Sequence, residues 1–380
     1  SGHVRVYKNI AGTWTQIGSD INGETAGDNS GYSISLSTDG STVAIGAYLN
    51  DGNGVNSGHV RVYKNIAGTW TQIGSDINGE AANDNSGWSV SLSTDGSTVA
   101  IGTPNNDGNG VTSGHVRVYK NVTNVWTQIG SDINGESVGD GSGWSVSLSA
   151  DGSTVAIGAF FNDGNGTDSG HVRVYKNIVD VWTQMGADID GEAAGNRSGW
   201  SVSLSADGST VAIGAYLNDG NGTDSGHVRV YKNIADVWTQ IGDDIDGEAV
   251  GDESGYSVSL STNGSVIAIG AYRNDGSASN SGHVRVYQNV VGVWTQIGSD
   301  INGEAANDNS GWSVSLSADG STVAIGALSN DENGTDSGHV RVYDLSSVLS
   351  LNSFIQSNFS VYPNPTSERL TIDLENNLIL

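Results

Sequence analysis

The chain contains no cysteine, three prolines and one methionine in 380 residues. Without cysteine there is no disulfide, no thiol nucleophile and no thiolate metal site. Basic residues are scarce: 15 Lys and Arg stand against 42 Asp and Glu, a formal net charge of −27. Such a charge repels nucleic-acid phosphate and anionic membrane surfaces, so neither is expected as a partner. No apolar run approaches the roughly 18 residues that a membrane span needs. No secretion signal opens the chain. It starts in mid-pattern at Ser1-Gly2-His3, and further chain is expected upstream in the parent protein.

What is abundant is glycine, 55 residues, together with 10 Trp and 13 Tyr. Glycine at this level without a Gly-X-Y period excludes collagen, and the aromatics argue against a disordered chain. The explanation is a repeat. Ser-Gly-His-Val-Arg-Val-Tyr begins at Ser1, Ser57, Ser113, Ser169, Ser225, Ser281 and Ser337, a constant period of 56 residues.

Each period holds four strand candidates and no helix. Trp88 to Ser93 alternates large and small residues, the period of a strand. Thr98 to Ile101 is nearly all apolar, as expected for a strand covered on both faces. His59 to Tyr63 alternates with β-branched residues. Trp70 to Ile73 is shorter and more polar, an edge strand. We call these the inner, second, third and outer strands. Inner and second strands join through Thr94-Asp95-Gly96-Ser97, a tight hairpin in which Asp-Gly supplies positive φ. The only long link runs from the outer strand to the next inner strand, from about Gly74 to Ser86. It is long enough to return across a four-stranded sheet, about 14 Å at the usual strand spacing. The fold class expected is therefore all-β, a β-propeller of four-stranded antiparallel blades over residues 1–343. Seven third strands against six of every other type admit a seven-bladed ring in the parent, the expected count, or six blades as the alternative for this chain.

Gly-Trp-Ser-Val-Ser-Leu-Ser, Asp-Gly, Val-Ala-Ile-Gly-Ala and Gly-x-Val-x-Val-Tyr, in that order, resemble the FG-GAP repeat of the integrin-α-type propeller and of many bacterial extracellular proteins. Calcium-binding members carry Asp-x-Asp-x-Asp-Gly between inner and second strands. Here that loop is only Thr38-Asp39-Gly40-Ser41 and its counterparts, so the family's calcium site does not carry over. Residues 344–357 read as a linker. The segment 358–380 contains Val361-Tyr362-Pro363-Asn364-Pro365 followed by Leu370-Thr371-Ile372, and is similar to the opening of the type IX secretion sorting domain, truncated at Leu380. That resemblance implies an interaction of the tail with the secretion machinery and an extracellular or outer-surface location.

Candidate sites are weighed against plainer readings. The loops between second and third strands offer alternate oxygen ligands at Asp51, Asn53, Asp107, Asn109, Asp163, Asn165, Asp168, Asp219, Asn221, Asp224, Asp331, Asn333 and Asp336. Calcium, the one cofactor considered, takes such oxygens on a Gly-bent backbone. The plainer reading is turn chemistry, in which Asx side chains cap their own backbone. The copy at Asp275-Gly276-Ser277 loses most ligands yet keeps its length, which supports the turn. The seven His stand alone in sequence and read as surface or hydrogen-bonding residues. The Arg of the same strand, Arg61 and its equivalents, is expected to pair with an acid or Tyr. The inner-strand aromatics Tyr32, Trp88, Trp144, Trp200, Tyr256 and Trp312 are expected to pack between blades, with sugar stacking as the functional alternative. The loops that carry Asp20, Glu24, Asp28 and Asp51 share one face of the ring, which is therefore acidic.

No Ser-His-Asp order, no His-Glu-x-x-His and no phosphate loop occurs. The expected function is a secreted or cell-surface, non-enzymatic propeller that binds an unidentified protein or glycan. The alternative is a spacer or accessory propeller attached to an upstream catalytic domain.

Overall fold

The structure is a computed structural model and describes residues 1–349, 360–363 and 370–373. Its unit is an antiparallel sheet built as the sequence orders it: Ser89–Leu92, Thr98–Thr103, His115–Val122 and Val125–Gln128 lie side by side. Asp95 fixes the inner hairpin by accepting hydrogen bonds from the Ser97 amide at 2.9 Å and the Ser93 hydroxyl at 2.7 Å. Gly96 supplies the positive φ, 72°. Five such sheets follow one another, and a sixth consists of Ser310–Leu316, Thr322–Ala327 and His339–Asp344. The chain thus builds a six-bladed β-propeller, the smaller of the two counts. A hairpin of third-strand and outer-strand type, Tyr7–Ile10 with Thr13–Gln16, precedes the first blade.

One element differs from expectation. The long link is not plain loop: Ile77–Asn78 returns to pair with Val60 and His59, so that each complete blade has five strands. The third strand has eight residues and the outer strand four, so the outer strand pairs only with the second half of the third strand and leaves the outward edge of the first half uncovered. Ile77 covers it and is buried there.

The core lies between blades rather than inside any one of them. Ala100, Val116 and Val118 of one blade pack on Leu148, Val155 and Ile157 of the next, with Tyr175 and Trp182 at the margin. The serines of the inner strand bond the same neighbours. Ser91 Oγ accepts the Leu148 amide at 2.9 Å, and Ser89 Oγ donates to the Gly143 carbonyl at 2.8 Å. The outer-strand Trp182 donates its indole N–H to Ile129 O at 2.8 Å. Small residues are required where blades meet: a Cβ on Gly102 would collide with the Gly143 carbonyl.

The two ends of the array lack these neighbours. Ile34 and Leu36 are 58% and 47% exposed, whereas their equivalents Val90 and Leu92 are 9% and 8%. Val340 is 68% exposed against 0% for Val116. These residues line a cleft of about 600 Å³ between the N-terminal segment at Val4 to Tyr7 and the last blade at Ser313 to Ser315. A helical turn at 346–349 follows the last blade, with Leu345 buried on its core. In the tail, Ser360–Pro363 pairs antiparallel with Leu370–Asp373. Val361, Tyr362 and Pro363 thus lie in a strand, while Asn364 and Pro365 lie outside the described residues. No helix among the described residues is long and apolar enough to cross a membrane.

Candidate functional site

Strand direction alternates across a blade, so the second-to-third loops, the outer-to-inner loops and the starts of the inner strands share one face of the ring. The oxygen-rich loops lie there and are used as turns. Asp51 Oδ1 accepts the Asn56 amide at 2.8 Å, while Asn53 Nδ2 donates to the carbonyls of Gly79 and Glu80 at 2.9 and 3.0 Å. Asp107 and Asn109, Asp163 and Asn165, and Asp219 and Asn221 repeat this pattern. Asp331 Oδ1 accepts the Asp336 amide at 2.7 Å. Asp168, Asp224 and Asp336 occupy the left-handed position with φ of 54°, 53° and 50°, a conformation that Asp tolerates. Asn333 is exposed. At the divergent copy, Ser277 Oγ donates to Gly303 O at 2.9 Å, so a hydroxyl replaces the amide without changing the turn. The opposite face carries Asp39, whose carboxyl is held below the usual range by hydrogen bonds from Ser37 and Ser41.

The inner-strand aromatics meet one another around the axis. Ring centroids are 4.9 Å apart for Tyr32–Trp88, 4.4 Å for Trp88–Trp144, 4.8 Å for Trp144–Trp200, 5.3 Å for Trp200–Tyr256 and 4.8 Å for Tyr256–Trp312. This is a continuous belt of half-buried rings, open only at the cleft between the array's ends. Tyr48, Phe160, Tyr216 and Tyr272 enlarge it from the ends of the second strands. Burial pushes the Tyr32 hydroxyl up to about 12 and keeps Tyr256 above the ordinary phenol range.

The blades differ from one another at this belt. Beside it, the equivalent positions hold Asn29, Asn85, Gly141, Arg197, Glu253 and Asn309. Arg197 donates to the Tyr216 hydroxyl at 2.9 Å and lies over Phe161 at 5.2 Å. Glu253 pairs with Arg273 at 2.7 Å. The belt therefore combines stacking surface with side chains of both charges, on an acidic face.

Towards the outside of the same face, the His residues occupy a setting that the sequence reading missed. Five of the seven, His59, His115, His171, His227 and His283, are buried rather than surface residues, each 1% exposed, whereas His3 is exposed and His339 is half-buried. Its Nδ1 lies 3.9 Å from Glu80 Oε2 and 3.9 Å from Asp132 Oδ2. Glu24–His59–Asp76, Glu136–His171–Asp188, Glu192–His227–Asp244 and Glu248–His283–Asp300 form equivalent clusters of metal-ligand type. Desolvation lowers the His ring below its ordinary pKa, to about 4 for His283, which leaves a neutral imidazole at neutral pH. The signal was present in the repeat, since each of these five His is matched by one Glu 35 residues before it and one Asp 17 residues after it in the long links. The Arg pairing is as expected: Arg117 lies 3.5 Å from Glu80 and over the Tyr119 ring at 5.6 Å.

Comparison with known families matches the FG-GAP repeat to residues 22–63, 78–119, 134–175, 188–231 and 302–343, more than half of the chain. Comparison with curated protein sequences returned no match. Among solved structures, Kuenenia stuttgartiensis hydrazine synthase is similar over 90% of this chain and 82% of its own, with a TM-score of 0.58 and 15% identity. A putative 6-phosphogluconolactonase from Bacteroides uniformis is similar over 88% and 90%, with a TM-score of 0.58 and 13% identity. One from Bacteroides fragilis covers 80% and 77%, with a TM-score of 0.51 and 13% identity. At these identities the likeness is one of fold alone.

Proposed function

Because the chain belongs to the FG-GAP repeat family, we propose that it is a non-enzymatic, extracellular or surface-attached binding propeller that engages a glycan through its aromatic belt. The belt carries this reading: half-buried Trp and Tyr rings offer flat apolar faces to sugar C–H groups, and the surrounding carboxylates accept sugar hydroxyls. The differences between otherwise repeated blades support it, because Arg197, Glu253 and Arg273 give a symmetric ring a preferred orientation for an asymmetric ligand. A protein partner with a basic face is the second occupant to test, since the surrounding loops are acidic.

Titration of the full chain with a panel of neutral polysaccharides, followed by Trp fluorescence, tests the proposal. Binding should fall at least tenfold in Trp144→Ala and Trp200→Ala and stay unchanged in Lys64→Ala on the opposite face. Equal binding by all three variants, or none by the wild type, overturns it. The export part of the reading rests on the Val361–Pro365 segment. In a host with type IX secretion the full chain should reach the medium or outer surface, and a chain ending at residue 343 should remain inside. Calcium at the Asp51-type loops is tested by melting with excess calcium and with chelator, because an ion that binds only the native state raises the midpoint. The competing reading, a spacer for an upstream catalytic domain, predicts that no belt substitution alters any binding.

A further inference from the structure

We propose that the interfaces between blades are binding sites for divalent first-row transition cations of the zinc type, each held by one His Nδ1 and two carboxylate oxygens. The proposal is independent of what the aromatic belt binds.

The donor set comes first. A neutral imidazole with one Glu and one Asp oxygen suits zinc and its neighbours, whereas calcium takes oxygens only, six to eight of them. The geometry is close to that of a filled site. His Nδ1 lies 3.6 Å from Asp244 Oδ2 and 3.8 Å from Glu192 Oε2 at His227, and 3.9 Å from both carboxylates at His115. Donors around a tetrahedral zinc with bonds of about 2.0–2.1 Å sit about 3.4 Å apart. Each carboxylate oxygen lies within a few tenths of an ångström of that distance from the imidazole, and all three donors lie within 4.8 Å of one another.

The second observation is independent of the acidic cluster. His115 is fully buried, and its Nδ1 has no hydrogen-bond partner; the same holds for Nδ1 of His227 and His283. An unpartnered ring nitrogen in a buried position costs stability unless something outside the chain occupies it. The nitrogen faces two carboxylates that open to solvent, so a cation has both a partner and an entry path.

Each carboxylate is also held in place by its other oxygen. Asp132 Oδ1 accepts from Gln128 Nε2 at 2.7 Å, which leaves Oδ2 towards the imidazole. Glu80 Oε1 faces Arg117 Nη1 at 3.5 Å, which leaves Oε2 towards it. Such outer contacts orient metal ligands in established sites. The Glu comes from the link leaving one blade, and the His and Asp come from the next. A bound cation would therefore tie neighbouring blades together, with water completing its coordination.

The test uses the full chain stripped with chelator and titrated with zinc chloride by calorimetry, with cobalt(II) as a spectroscopic stand-in. The expected result is about five to six cations bound per chain, a raised unfolding midpoint, and the intense visible bands of four-coordinate cobalt. The double variant Glu80→Gln with Asp132→Asn should keep the wild-type midpoint in chelator and bind one cation fewer. His115→Gln should lose the same one. Unchanged stoichiometry in both variants overturns the proposal, as does absence of zinc binding at millimolar concentration or equal stabilisation by calcium chloride.

Discussion

Two small residues sit where neighbouring blades meet, and their substitutions should differ in kind. Ser147 Oγ accepts the Leu204 amide at 2.9 Å in the neighbouring blade. Ser147→Ala leaves that amide unpaired, and urea unfolding should show a loss of about 1 kcal/mol. Gly158 meets the Gly199 carbonyl where a Cβ has no room. Gly158→Ala should cost more, about 3 kcal/mol by the usual penalty for overpacking, with the same measurement. A larger loss in the serine variant would contradict this ranking. The belt tyrosines make a third prediction. Burial raises Tyr32 to about 12 and raises Tyr256 and Tyr272 as well, while the unfolded chain ionises near pH 10. The unfolded state then loses protons first, so this contribution to stability is complete below about pH 10 and disappears as pH rises through about 12. Tyrosinate absorbance should titrate in two classes, and the unfolding midpoint should fall across that interval.

The same element behaves differently by position in the array. Trp182 packs at the margin of an interblade core and donates to Ile129 O, whereas Trp14, its counterpart in the N-terminal hairpin, is 49% exposed. Trp182→Ala should therefore cost about 3 kcal/mol and Trp14→Ala less than about 1 kcal/mol, compared by denaturant midpoints. The blade itself was legible in the sequence because period-two alternation, an Asp-Gly turn and one long link leave few alternatives. The extra strand at Ile77–Asn78 was not, since two residues carry no period. The belt was half legible: the aromatic slot was visible, but Trp144 meeting Trp200 depends on how tightly the ring closes. The His clusters were hidden because Glu80, His115 and Asp132 are far apart in sequence, and only the repeat's fixed offsets link them. The turn role of Asp51 was readable, because Asx capping acts over a few residues, whereas the bonds from Asn53 to Gly79 and Glu80 span 26 and 27 residues and were not.

The molecule as a whole is an array whose ends meet across an apolar cleft rather than through blade contacts. Ile34, Leu36 and Val340 should make it a dye-binding surface, so a solvatochromic hydrophobic probe should brighten with the wild type. The charged double variant Ile34→Lys with Val340→Lys should lose that signal and keep its unfolding midpoint, because neither side chain is buried. A dye signal that persists would place the apolar surface elsewhere. The hydrogen bonds that inner-strand serines make to the next blade have one further property: they join residues at nearly the same distance along the chain, 54 residues for Ser89 with Gly143 and 57 for Ser91 with Leu148. Every step of assembly therefore closes a loop of the same size, and no blade has an entropic advantage as the starting point. Refolding can nucleate anywhere along the array, and since successive blades are near copies, a chain that skips one finds an almost equivalent partner in the next.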